Sequence, residues 1–286
     1  MEKTIGKKVM EIIKKKYLNT PGFRGRNELF YSSDHRLFLN ILSIISLAFV
    51  LISYSVHVFF DSEFIARLTL EDGFFETSGA ILFLFASLIF FFTYYSTRST
   101  HSQFPRLIKG NIIFLLLSII FLFGFLEEIS WGQRYLNIET PEMLKKINLQ
   151  QEINIHNLKI FHRLNENGHK SGWDLMLNID RLFSVFWFSC CIVLPLLCAF
   201  NNPFKNIINK LNIPILPLFF GLVFFINYIT SKLILINQIT PIRTVIEIKE
   251  FNCALLFFIV SIWFFKNHLG FKKIQRRKNN ASVLGN

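Results

Sequence analysis

The sequence predicts an all-α polytopic membrane protein, a helical bundle of about six transmembrane helices with both termini cytoplasmic and one extracytoplasmic loop region. Three observations predict it. Hydrophobic residues make up 52% of the 286 and mean hydropathy is +0.41, whereas charged residues make up 17%, against about 25% in an ordinary soluble domain. The apolar residues are gathered into runs approaching the roughly 20 residues that a helix needs to cross a bilayer. Finally, the 31 Lys and Arg and the 19 Asp and Glu fall in different connecting segments. This composition excludes a disordered chain, and four cysteines in this length exclude a disulfide scaffold.

Residues 1–36 form a basic segment in which Ile5, Val9, Ile12, Ile13 and Tyr17 recur at helical spacing between lysines, as in a helix lying on an anionic inner leaflet; a solvated basic tail is the alternative. The segment lacks the apolar core of a cleavable leader. The membrane domain, 37–265, follows. Its expected spans are Leu37 to Phe60, Phe74 to Ser96, Asn111 to Phe125, Leu182 to Phe200, Ile213 to Ile229 and Phe251 to Phe265. The third is long enough only if it begins near Leu107 or runs on into Glu127 and Glu128. Pro214 and Pro217 suit the entrance of the fifth. Residues 266–286 form a basic tail, and 127–181 is the one connecting segment long enough for substructure.

Orientation follows from charge. Segments 1–36, 97–110, 201–212 and 266–286 hold 20 of the 31 basic residues but only four of the 19 acids. Basic loops prefer the cytoplasm, so both termini are expected on the inner side of the membrane, with the basic ends on anionic lipid. Acids contribute little to orientation, so their gathering on the other side needs a separate cause.

Several chemistries find no support. Cys190, Cys191, Cys198 and Cys253 fall in spans without C-x-x-C spacing and read as buried thiols. No Walker loop, dinucleotide fingerprint or G-x-S-x-G elbow occurs. The basic charge borders spans and forms no folded face, so a nucleic-acid partner is not expected.

Four acidic clusters share the extracytoplasmic side. In LEDGFFE, Asp72 and Glu76 are four apart at the entrance of the second span, where either a site or the positive helix end explains them. In FLEEISWGQR, Glu127 and Glu128 would lie at the negative end of the third span, where carboxylates are disfavoured, so a partner such as Arg134 or a cation must hold them. Trp131 reads as a site residue or an interface-belt tryptophan, with Gln133 beside it. In NLQQEINIHN, the polar residues Asn148, Gln150, Glu152, Asn154 and His156 alternate with apolar ones, as in an extended segment with one polar face, with Asn157 following. Glu152 and His156 share a face in either a strand or a helix, and together could bind a divalent metal or serve as base and orienter. Glu247 and Glu250 precede the sixth span and are well explained by the helix dipole and solvation, with a site as the lesser reading.

EEISWGQR at 127–134, TPE at 140–142 and N-x-Q-x-E-x-N-x-H-N at 148–157 resemble uncharacterised bacterial multi-pass membrane proteins over about 30 residues. The resemblance implies a bacterial origin and a shared site-like core, without a reaction. Intramembrane CAAX-type proteases place Arg three residues after Glu-Glu, whereas Arg134 follows Glu128 after five. Ceramidase-like hydrolases use several intramembrane histidines, whereas only His57 lies in a span here.

The expected function is hydrolysis or group transfer on a lipid or lipid-linked substrate at an extracytoplasmic pocket. Glu76, Glu127, Glu128, Glu152 and His156 are the expected catalytic residues, and Asp72, Trp131, Gln133, Arg134, Asn154 and Asn157 are expected to bind substrate. Glu128 and His156 are the pair that would take a divalent metal, if one is used. A non-enzymatic scaffold or a small-solute or ion transporter is the alternative.

Overall fold

The computed structural model describes residues 33–70, 73–97, 111–161, 164–165, 168–169, 177–211, 213–237 and 241–284. The amphipathic pattern over residues 5–18 and the expected substrate residue Asp72 lie outside them. The described chain is a helical bundle: α1 (Ser33–Phe59), α2 (Ser62–Leu68), α3 (Phe74–Thr97), α4 (Ile112–Glu128), the short α5 (Gln133–Leu136) and α6 (Glu142–Ile147), α7 (Ile179–Phe188), α8 (Leu194–Phe200), α9 (Asn202–Lys210), α10 (Leu218–Ile236) and α11 (Ile242–Leu284). A two-residue antiparallel pair, Leu164–Asn165 with Gly168–His169, is the one sheet among the described residues.

Helix starts are set by side chains that accept the free backbone N–H groups of the first turn. Asp61, Asn111, Asn178 and Asn201 each cap the helix that follows, accepting from Phe64, Ile113, Arg181 and Phe204. α4 begins at Ile112 and runs on through Glu128, which is how the third expected span gains its length. The fifth span starts later than expected. Residues 213–217 are non-helical, Pro217 forms the N-cap, and the helix extends to Ile236. In the fourth span, α7 and α8 join through a π-turn at Ser189–Val193. Pro195 has no N–H for the Cys191 carbonyl four residues earlier, and the ladder widens there.

Among the described residues, four helices, or five if a bent pair is joined, pass as candidate spans. Leu37–His57, Phe74–Thr97, Arg181–Phe200 and Leu218–Ile236 are long and apolar enough to cross a membrane, and α4 makes a fifth if joined across a 65° bend to the turn after it. The sixth expected span is helical throughout, as part of the 43-residue α11. α11 is the centre of the bundle. Residues 252–257 are all buried, and the Phe257 ring meets Phe121 of α4 at 4.8 Å and Phe224 of α10 at 4.8 Å between centroids. Polar glue adds to this packing. Tyr54 donates to Asn227 Oδ1 (2.9 Å), Asn252 donates to the same oxygen (3.0 Å), and Ser53 donates to Asn252 (2.9 Å), linking α1, α10 and α11. Such interhelical bonds average about 0.6 kcal/mol each in a bilayer.

α3 packs along both α4 and α11. This places Glu76 at the start of α3, Glu128 at the end of α4, and Glu247 and Glu250 in the opening turns of α11 at one end of the bundle, referred to below as the acidic end.

Candidate functional site at the acidic end

The site begins where α4 stops. Ile129 closes the helix, and then Ser130 (φ 47°), Trp131 (φ 56°) and Gly132 (φ 76°) follow one another in the left-handed region. For the two non-glycine residues this costs about 1–2 kcal/mol each. Side-chain bonds offset the cost. Trp131 Nε1 donates to Glu127 Oε1 at 2.6 Å, and the fully buried Ser130 hydroxyl donates to Glu152. The turn throws the chain sideways, so that Gln133 and Arg134 point back toward the bundle.

Glu127, nearly buried at 5% exposure, is the hub. Its Oε2 accepts the backbone N–H groups of Ile155 (2.7 Å) and His156 (2.8 Å) and pairs with His156 Nδ1 at 3.2 Å. With Nδ1–H on Glu127, Nε2 of a neutral His156 accepts from Asn157 Nδ2 at 2.9 Å. Burial alone would push the His156 pKa down. The hydrogen bond to Glu127 and the charges of Glu128, Glu127 and Glu250 outweigh it, and the pKa is raised above the ordinary histidine value. This answers why a carboxylate sits at the negative end of α4: two backbone donors, an indole and an imidazole compensate it.

Glu152 is the second hub. It pairs with Arg134 Nε at 3.0 Å, and Arg134 Nη2 also reaches Glu76 at 3.6 Å, so one guanidinium joins the loop to α3. Asn154 Nδ2 donates to Ser130 Oγ (3.0 Å) and Glu152 (3.2 Å). Asn148 Nδ2 donates to the carbonyl and Oδ1 of Asn154, both at 2.8 Å, while its own Oδ1 accepts from the Gln150 N–H at 2.8 Å. Gln133 accepts from the Ile153 N–H at 2.6 Å and donates to Thr140 at 2.5 Å. The loop closes at its base where Leu149 N–H meets the Asn157 carbonyl at 2.9 Å, beside an Asn148–Leu158 bridge. The alternation in 148–156 is therefore neither a regular strand nor a helix. It is a closed loop whose polar face is turned inward onto the EEISWGQR turn.

Beside this network lies a cavity of about 180 Å³ lined by Glu76, Thr77, Ala80 and Ile81 of α3, Phe125 and Glu128 of α4, Ile129, and Tyr135 of α5. Glu128 is set apart from Glu127. No hydrogen bond or ion pair among the described residues reaches its carboxylate, although it feels the charges of Glu250, His156, Glu76 and Glu127. Glu247 belongs to the same acidic group. Burial, then the charges of Glu250, Glu76 and Glu128, raise its pKa to about 8 against the opposing pull of Arg243, 3.7 Å away.

Of the residues expected from sequence, Glu76 and Glu128 line the cavity. Glu127, Trp131, Gln133, Arg134, Glu152, Asn154, His156 and Asn157 form the network behind it. Ser130 and Tyr135 were not singled out by sequence reasoning. Trp-Gly after a predicted helix end marks a turn, and the serine that opens it is the signal for Ser130. Among the described residues, no group of three or more His, Cys, Asp or Glu side chains is placed to hold a metal ion.

With this geometry the chain fits the class of polytopic, all-helical membrane proteins. Comparison with family models, curated proteins and solved structures returns no match.

Proposed function

We propose that the chain is a membrane-embedded enzyme that hydrolyses or transfers a group on a lipid or lipid-linked substrate, with the polar part of that substrate in the Glu76–Glu128 cavity. One observation carries the reading: Glu128, a carboxylate to which no donor among the described residues is committed, faces a cavity whose other walls are largely apolar. An amphiphile fits such a site, its polar group on the carboxyls and its chains along Ile81 and Phe125. Glu128 is the acid–base group. It takes the proton of the attacking hydroxyl as the bond to the leaving oxygen breaks, and returns it to that oxygen. Arg134, shared between Glu76 and Glu152, draws an anionic head group toward the cavity. Glu127 and His156 are positioning residues that hold the loop against the end of α4.

The test is turnover in nanodiscs containing total membrane lipids, followed by mass spectrometry of head groups. Wild type is expected to deplete one lipid class, and Glu128→Gln, eluting as the same folded species, to lose at least 100-fold in rate, as removal of an acid–base group does. Equal turnover in Glu128→Gln removes that role. A second reading, a non-enzymatic scaffold, draws on the mutual bonding of Glu127, Glu152, Asn148, Asn154 and Gln133. It predicts no lipid turnover in either protein.

A further inference from the structure

We propose that the segment from Ser130 to Ile155 is a cap immersed in the membrane interface, with lipid packed against its outer face, so that the cavity beside it opens laterally into the bilayer. The first argument is polarity. Asn148, Asn154 and Asn157 are buried at 2%, 4% and 8% exposure while Leu149 and Ile155 stand out at 53% and 44%, beside the exposed Glu139, Glu142, Lys146, Gln150 and Gln151. Large apolar groups mixed with charged ones on one outer face suit the membrane interface, where both head groups and acyl chains are within reach. The second is the extent of the apolar face. Tyr135, Leu136, Ile138 and Met143 are exposed at 71%, 68%, 47% and 76% within one short stretch of chain, and soluble surfaces carry few such groups so close in sequence. α6 repeats the pattern in miniature, with Met143 and Ile147 one turn apart on one side and the Glu142–Lys145 pair (2.8 Å) on the other.

The third argument is continuity, and it identifies the occupant as lipid. Phe123 stands on the exposed apolar face of α4 with Ile119, Ile120 and Leu122, the face a spanning helix presents to acyl chains, and its ring meets Trp131 edge-on at 5.7 Å between centroids. The exposed apolar face of α4 thus reaches the cap through the Phe123–Trp131 contact, and Trp131 and Tyr135 are the residue types that form aromatic belts. The cap covers the cavity through Tyr135, which lines it while being mostly exposed on its other side. The corollary that substrate arrives sideways from the bilayer rests on the proposed function; immersion of the cap does not.

Nitroxide labels at Met143→Cys and Leu149→Cys, in protein reconstituted into liposomes, measure this directly by collision with oxygen and with a water-soluble nickel chelate. Leu88→Cys on the exposed face of α3 is the lipid reference, and unsubstituted protein gives the background from the four native cysteines. The expected result is oxygen collision exceeding nickel collision at both cap positions, as at Leu88. Nickel-dominated collision at both would make the segment an aqueous loop. Shielding from both probes would mean that another polypeptide covers the face. Either result overturns the proposal, and because the readout requires no turnover, its failure is separable from failure of the proposed reaction.

Discussion

Replacing Glu127 by alanine should release the loop 148–157 while leaving the bundle intact. The carboxylate receives two loop backbone donors, Ile155 and His156, at 2.7 and 2.8 Å, as well as the Trp131 indole and the His156 ring. A hydrogen bond to a charged group contributes about 1.5–3 kcal/mol, so the two backbone bonds alone amount to about 3–6 kcal/mol of local stability. At tenfold per 1.4 kcal/mol, loop opening rises by roughly 10² to 10⁴. Hydrogen–deuterium exchange of the nanodisc-embedded protein reads this on peptides spanning 148–158. Exchange there should accelerate by at least 100-fold in Glu127→Ala, with peptides from α3 and from residues 252–257 unchanged. Unaltered protection of the loop would refute the hub role of Glu127.

Two further predictions follow from the same geometry. The raised His156 pKa means that the stabilisation from its charged form is complete below about pH 6.5 and is lost as pH rises through the higher native value. Glu247, raised to about 8, adds a loss of the same sign from its unfolded value of about 4.3 upward. Melting of wild type from pH 5.5 to 8.5 should therefore fall with pH, and more steeply than that of His156→Gln; parallel curves would remove the histidine from the linkage. In the bundle, a Cβ on Gly221 would clash with the Cys191 carbonyl oxygen, a backbone atom that cannot swing aside. Gly221→Ala should cost at least about 1–3 kcal/mol, read as a lower melting temperature, and an unchanged melt would contradict the close approach at the π-turn.

Much of the helical architecture was legible because a membrane helix carries its signal in one continuous run. Leu37, Phe74 and Leu182 all fall close to where a helix begins, and Pro217 marks a start. What the sequence concealed was depth. Residues 252–257 are buried at the centre of the bundle, yet apolar residues packed on protein and apolar residues packed on lipid look alike in a hydropathy window. The clusters around Glu76, Glu127 and Glu128, and 148–157 were visible because carboxylates at a helix C-terminus and asparagines in an apolar chain each demand partners. Their assignment to one another was not, since it depends on three consecutive left-handed residues at 130–132 and on the fold of the loop. For the same reason, the separation of Glu128 from its neighbour Glu127 emerges only in three dimensions.

The most direct measurement is an experimental structure of the protein in nanodiscs made with its own membrane lipids. A lipid head group within hydrogen-bonding distance of Glu128, with its chains running past Ile81 and Phe125, is the predicted result. A cavity closed to lipid, or a lipid whose head group lies away from both Glu76 and Glu128, would contradict it.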